Sequence, residues 1–367
     1  MSSQSENISS TSSAGLSKRR IVIRLTPNQS QNGSGEVWIG KDDENVNISI
    51  TLKRCYGGID PSAKISIANV DPSIIRRYTT QVYCPENPAR IDIWAGYQKY
   101  GEDEIELLST SGVSESKTVN SANNTSNRAR LRKIFSGVII WALPSSGRPD
   151  VVFSIIANER FFEYQNPVSF TPEKGRKYTP TEYITEVAKL AGIDLVDDTA
   201  LRNYDAVAKE KLGDKATDYF KQITPYSFCD KFYVFVYEWI GKFNNMTAVM
   251  SNGVLQLWPN SQDINFLMGN LINTNVVKRV AADSNIVMIG EPSPNPTGIE
   301  FTTLYTEDLA PMDMFIMDSR IFPDFSATVE GDSIKGSYGK YWVQQIVYNL
   351  TTREEPFYCD VVGRRIW

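Results

Sequence analysis

The chain has 367 residues, 41% of them hydrophobic and 22% charged, with a formal net charge of −5 and a sequence pI near 5.2. That length accommodates two or three domains and a sizeable core, and the acidic balance argues against a general electrostatic grip on nucleic acid. The sequence contains no histidine, which excludes every Ser-His-Asp, Cys-His and His-ligated metal scheme and leaves a carboxylate pair, a Ser-Lys pair or an all-oxygen metal site.

Met1 to Ser17 is rich in Ser, Asn and Thr. It lacks the basic start and apolar core of a signal peptide, and residues 1–17 read as a disordered or partner-ordered arm. No run approaches the 18 apolar residues of a membrane span, so stable membrane insertion is not expected. Cys55, Cys84, Cys229 and Cys359 have no metal-site or disulfide spacing, and the plain reading is buried free thiols in a reducing compartment.

Residues 18–157 read as a first β domain. Val46, Ile48, Ile50 and Leu52 alternate with polar residues, as a half-buried strand requires, and Lys64–Ile67 and Arg90–Trp94 repeat the pattern. Asp71-Pro72 predicts a helix start, with Asp71 as N-cap. Ile134–Ile140 and Val151–Ile155 bring the count to about seven strands, suited to a sandwich or barrel. A polar insertion covers 109–130. Glu102, Asp103, Glu104 and Glu106 precede it, and Arg128, Arg130, Arg132 and Lys133 close or follow it. The insertion is either a solvated hairpin tip or a loop that orders across a neighbouring subunit.

Residues 158–275 change character. Thr179-Pro180-Thr181-Glu182 is a capping box, followed by Ile184, Val187, Ala188 and Ala191 on one face and Gly192 as the stop. Further helices are expected over Asp214–Ile223 and Phe228–Lys242, the second with an aromatic stripe that suits core packing. Asn252-Gly253 predicts the turn of a hairpin between Thr247–Met250 and Val254–Trp258. Strands return over 276–367, at Asn285–Ile289, Gly298–Phe301, Met314–Met317, Tyr341–Tyr348 and Phe357–Val362.

Little in the sequence carries chemistry. Lys41-Asp42-Asp43-Glu44, the group Asp194, Asp197 and Asp198, and the pair Glu354-Glu355 lack calcium-loop spacing and read as solvated turns. Lys18-Arg19-Arg20 reads as a solubilising flank or a weak contact to an acidic partner. No nucleophile elbow or phosphate-binding loop stands between a strand and a helix. No catalytic, cofactor or metal residue is nominated. Trp38, Trp94 and Trp141 are the aromatic residues that a glycan-binding surface would use, with packing or interface burial as the alternative.

The order of elements is similar to that of tailed-bacteriophage baseplate hub proteins, a family also related to the base of type VI secretion spikes. Ile286–Ser293, Gly298–Leu304 and Leu309–Asp313, followed by Gly339–Tyr348 and Phe357–Val361, resemble that family's second barrel. The family commonly has Gly where this chain has Met312. Ala95-Gly96-Tyr97 and Ile134–Ile139 resemble its first barrel, and the insert with its Asn252-Gly253 hairpin sits where the family places one.

The resemblance implies a mainly β fold with a small α insert and two tail-tube-like β-barrel domains in pseudo-repeat. It implies a non-enzymatic homotrimer forming a pseudo-sixfold ring between the tail tube protein and the central spike protein. Tape measure and baseplate wedge proteins are further implied partners, with DNA present only in transit through the channel. The chain would be made in the host cytoplasm and reside in the virion. A glycan-binding or cell-wall-degrading tail component is the competing reading.

Overall fold

A computed structural model describes residues 18–27, 35–42, 46–56, 62–81, 88–99, 102, 104–108, 128–147, 150–159, 166–251, 254–271, 278–282, 284–319, 328–330, 333–335, 339–353 and 356–366. The arm 1–17, the tip 109–127, Cys84, Asn252-Gly253 and Glu354-Glu355 lie outside these residues.

The first β unit runs β1 (Lys18–Thr26), β2 (Val37–Ile39), β3 (Ile48–Cys55), β4 (Ser62–Ala68), helix α1 (Pro72–Gln81), β5 (Arg90–Gln98), β6 (Glu104–Leu108), β7 (Arg128–Gly147) and β8 (Asp150–Asn158). β3 alternates buried and exposed residues along its length, as its sequence predicts, and Asp71 Oδ1 accepts from Ser73 N–H at 2.7 Å to start α1. β7 corrects one expectation. Arg128 and Arg130 are strand residues rather than loop, because β6 pairs parallel with them and sets Glu104 against Arg128 (2.6 Å) and Glu106 against Arg130 (3.4 Å). The opposite charges flanking the insertion zip its two ends together.

The insert comprises β9 (Pro167–Phe170), α2 (Pro180–Leu190), β10 (Val196–Asp197), α3 (Thr199–Leu212), β11 (Phe228–Lys231), β12 (Met246–Ser251), β13 (Val254–Pro259) and α4 (Ser261–Leu271). Both capping-box bonds are made: Glu182 N–H donates to Thr179 Oγ1 (3.3 Å) and Thr179 N–H to Glu182 Oε2 (2.8 Å). Thr179→Ala is expected to cost about 1 kcal/mol, read as a lower midpoint in urea with an unchanged slope. An unchanged midpoint would show that the cap contributes nothing.

One helix expectation fails here, and a second is met only from Phe232 onward. Asp214–Ile223 holds only a 3-10 turn at Gly213–Lys215. The helix lies earlier, as α3, where Ala200, Leu201, Tyr204 and Ala208 form the buried face and Gly213 takes φ +56° to end it. Phe228–Lys231 is a strand paired with β9, and only Phe232–Val234 and a π-helical stretch over Phe235–Phe243 follow. The stripe is core as expected, with Phe232, Phe235 and Trp239 buried and Phe235 stacked on Trp239 at 5.2 Å. α4 was not anticipated. Its start is capped by Asn260 Oδ1, which accepts from Gln262 and Asp263 N–H.

The C-terminal strands are β14 (Lys278–Ala281), β15 (Ile286–Asn295), β16 (Gly298–Leu304), β17 (Met314–Met317), β18 (Thr328–Glu330), β19 (Ser333–Lys335), β20 (Lys340–Thr351) and β21 (Phe357–Arg365). The pairings β14–β15–β16–β21–β20–β17–β14 close a six-stranded barrel. Met312 adopts φ +77°, the left-handed conformation that glycine takes at little cost.

The two β units repeat one another in strand order and over much of their register. The antiparallel run β3-β4-β8-β7-β5 has the same order and connectivity as β15-β16-β21-β20-β17. The registers agree as well: Val138 pairs with both Arg90 and Asn158, as Trp342 pairs with Met314 and Arg364. One bulge corresponds, since β7 has an extra residue at Ile140 and β20 at Gln344, whereas the two extra residues of β15 between Ile289 and Ser293 have no counterpart in the evenly paired β3 and β4. Beyond the bulges, Trp141↔Ile156 matches Gln345↔Val362, and Ser62↔Asn158 matches Gly298↔Arg364. Two departures stand out. β1 runs antiparallel to β5 whereas β14 runs parallel to β17, and the first unit shows no closing pair among the described residues. The fold is mainly β with a small α insert, built on two β modules in pseudo-repeat, the second of them a closed six-stranded barrel.

Candidate assembly surface

β20 joins the modules. One of its edges pairs with β21; along the other, Lys340–Trp342 pair with β17 and Gln345–Thr351 with β3 of the first module. The result is one continuous sheet of eight antiparallel strands in the order β15-β16-β21-β20-β3-β4-β8-β7. One face packs on a shared core that includes Ile50, Leu52, Ile65, Ile155, Phe301, Ile346, Leu350 and Val361. Tyr305 reaches across the modules, donating from its hydroxyl to Ala95 O (3.2 Å) while Tyr97 packs on Phe357 at 5.2 Å. Arg132 of the first module lies 3.8 Å from Glu307 of the second; burial lifts the Glu307 carboxyl above its ordinary pKa, and the guanidinium opposes that rise.

The opposite face is polar because a period of two sends every second side chain outward. Across the junction it carries a ladder of hydrogen bonds. Thr302 Oγ1 donates to Asp360 Oδ1 (2.7 Å), Asn349 Nδ2 to Asp360 Oδ2 (2.8 Å), and Thr51 Oγ1 to Asn349 Oδ1 (3.4 Å). Lys53 and Lys64 stand exposed on the first module's part, and Glu300 on the second's. This face mixes both charge signs.

The sheet ends in two open edges. β5 leaves β7 after the Arg90↔Val138 pair, and among the described residues nothing pairs with that side of Ile140–Gly147. β14 likewise leaves β15 after Val287, so the outer side of Met288–Asn295 has no strand partner among them. Trp141 (39% exposed), Leu143 (37%) and Ile289 (41%) project from these two strands. Large apolar side chains on unpaired strands mark a surface that another surface covers.

The other residues singled out from the sequence are scattered. Trp94 is buried and packs on Trp38 at 5.6 Å, with Arg24 and Lys133 over its ring, so it does not share an exposed face with Trp141. Asp197 Oδ1 accepts from Thr199 N–H and Oγ1 at the start of α3, and Asp198 pairs with Arg202 in its first turn. Asp197 and Asp313 both line a cavity of about 320 Å³ between insert and barrel, but Asp313 is paired with Lys278 at 2.6 Å and accepts from Ala310 N–H. Neither carboxylate is left to act as an acid or base partner of the other. The cysteine expectation needs one correction: Cys359 is buried, its thiol pushed up to about 12, but Cys229 is exposed, because the outer strand β11 turns it to solvent.

The class this geometry defines is a tandem β-module protein with one sheet shared by both modules and open at both ends. No protein-family model and no curated protein sequence matches the chain. Solved structures similar to it are phage tail proteins and a VgrG complex. A 43 kDa tail protein of prophage MuSo2 from Shewanella oneidensis aligns over 94% of this chain and 96% of its own, with 9% identity and a TM-score of 0.49. A tail protein from Neisseria meningitidis MC58 aligns over 95% and 98%, with 8% identity and a TM-score of 0.45. A chain of the Francisella PdpA-VgrG complex aligns over 96% of this chain and 58% of its own, with 9% identity and a TM-score of 0.46.

Proposed function

We propose that this chain is a non-enzymatic structural hub of a phage tail baseplate, in which three copies close a ring of six similar modules. The observation that carries the reading is the β20–β3 junction between two modules that repeat in register and in bulge position. A chain holding two copies of a module already joined edge to edge needs only three copies to present six comparable surfaces. Such a ring reconciles a sixfold tube on one side with a threefold spike on the other. The resemblance read from Ile286–Ser293 and Ile134–Ile139 points to the same partners, the tail tube and central spike proteins, with tape measure and wedge proteins beyond them.

In this reading residues 18–157 and 276–367 are the two tube-like domains, 158–275 is an insert domain, and 1–17 is an arm. The shared sheet's polar face lines the channel through which DNA passes, so Thr51, Asn349, Thr302 and Asp360 meet water and a passing polyanion rather than a bound substrate. Native mass spectrometry tests the ring. A species near three times 41.3 kDa, about 124 kDa, is expected. A chain that stays monomeric at every concentration, alone and with the tube and spike proteins added, would overturn the proposal.

A further inference from the structure

The two open edges differ in what they offer. On β15, Pro294 faces Ile299 of β16 but has no N–H to give it, so Ser293–Glu300 and Asn295–Gly298 are the hydrogen-bonded pairs and the nitrogens of the alternate residues point outward. Within β15 those residues are Pro292 and Pro294, and Pro296 follows in the turn to β16. Proline has no N–H, so this stretch presents carbonyl acceptors and no donor. The repeat gives the same parity. Tyr56 N–H donates to Gln344 O (2.7 Å) and Thr352 N–H to Ile48 O (3.0 Å) at the two ends of the β3–β20 junction, so Leu52 and Tyr348 are a hydrogen-bonded pair within it. Pro294 holds the position of Leu52, and Pro144 that of Tyr348.

The geometry points to a head-to-tail contact in which the β15 edge of one copy receives the β7 edge of the next, and in which the alternating prolines forbid β15 from pairing with another β15. The inference rests on the ring reading and adds its registers and its polarity. Two donor-free edges brought together form no backbone bond. The β7 edge keeps the outward N–H groups of Ser146, set opposite Pro292 of β15, and of Ala142, set opposite Pro296 in the turn beyond it, and both can donate to the facing carbonyls. An even number of strands makes the join antiparallel, like the internal one. Transferring the internal register sets Leu143 opposite Asn295, Ser145 opposite Ser293, and Pro144 opposite Pro294 of the neighbouring copy, so that the two missing donors fall at a single pair. The prolines also keep the free chain from adding copies through β15 alone, which favours a closed ring over irregular edge pairing.

Cysteine pairs test the contact. Ser145 and Ser293 correspond to Asn349 and Thr51, a non-hydrogen-bonded pair, where Cα atoms lie about 4.5 Å apart and a disulfide fits. In a Cys229→Ser background, S145C/S293C is expected to give disulfide-linked dimers and trimers under mild oxidation, ending at three copies. S145C alone and S293C alone are expected to stay monomeric on a denaturing gel. A disulfide-linked dimer from S293C alone would overturn the polarity. A 124 kDa species by native mass spectrometry without cross-linking of S145C/S293C would overturn the strand contact and leave the ring standing. Absence of both the ring and the cross-link, with tube and spike proteins present, would overturn both.

Discussion

Gly298→Ala is expected to remove about 3 kcal/mol or more of stability, at the severe end of single-residue effects. A Cβ at this position would lie 1.9 Å from Gly363 O, 2.9 Å from Gly363 C and 3.0 Å from Arg364 Cα. All three atoms are backbone of β21, so no side-chain rotation relieves the clash and β16 must part from β21. That separation opens the closed barrel at the start of β16 and the end of β21 and loosens Gly363, whose own Cβ position is filled by the Phe315 ring at 2.6 Å. Thermal unfolding measures the effect, with a fall on the order of 5–10 °C. Gly35→Ala is the control, because nothing lies within 4 Å of the Cβ it would add. Equal midpoints for the two variants would refute the close approach of β16 to β21.

Trp342→Ala is expected to be comparably damaging, by about 3–5 kcal/mol, and its damage should be directional. Trp342 is 1% exposed and sits where the insert meets the barrel. Its ring contacts Tyr56 edge-on at 5.3 Å within a cluster formed by Ile264 and Met268 of α4 and by Met312 and Ile366. Its Nε1–H donates to Asn265 Oδ1 at 3.4 Å. Tyr56 in turn ties the end of β3 to the insert through Thr247 Oγ1 (2.9 Å). Truncation leaves a cavity between two bodies that otherwise keep separate cores, so α4 should become accessible first. Limited proteolysis within 261–271 should accelerate well below the unfolding temperature, and Trp342→Phe should largely restore protection. Unchanged cleavage in the alanine variant would show that other contacts hold the insert.

Particular residues show what could be read early. Leu52 could be assigned to a strand's core face because alternation is local, and Thr179 to a cap because its partner is three residues away. α3 escaped because Asp194, Asp197 and Asp198 read as a solvated turn, although Ala200, Leu201, Tyr204 and Ala208 keep helical spacing. Its i,i+4 pairs Asp198–Arg202 and Asp205–Lys209 were the available signal. The strand β11 was mistaken for helix because Phe228 belongs equally well to either period, and only pairing with β9 decides it. The alternating Pro292, Pro294 and Pro296 stood in plain view, but their meaning depends on which side of β15 is already occupied.

By itself the sequence determined the strands that alternate cleanly, such as β3, β4 and β5, which face β3 buries, where α2 begins, and that no histidine chemistry is available. Those properties depend on neighbours within a few residues and on composition. The tertiary structure decided which strands meet, since Thr51 finds Asn349 across 298 residues of chain. It also decided that two modules share one sheet, with alternating prolines on the open edge at one end and backbone donors on the open edge at the other. Register and edge exposure are set by loop closure and core packing over the whole chain, and no local pattern encodes them.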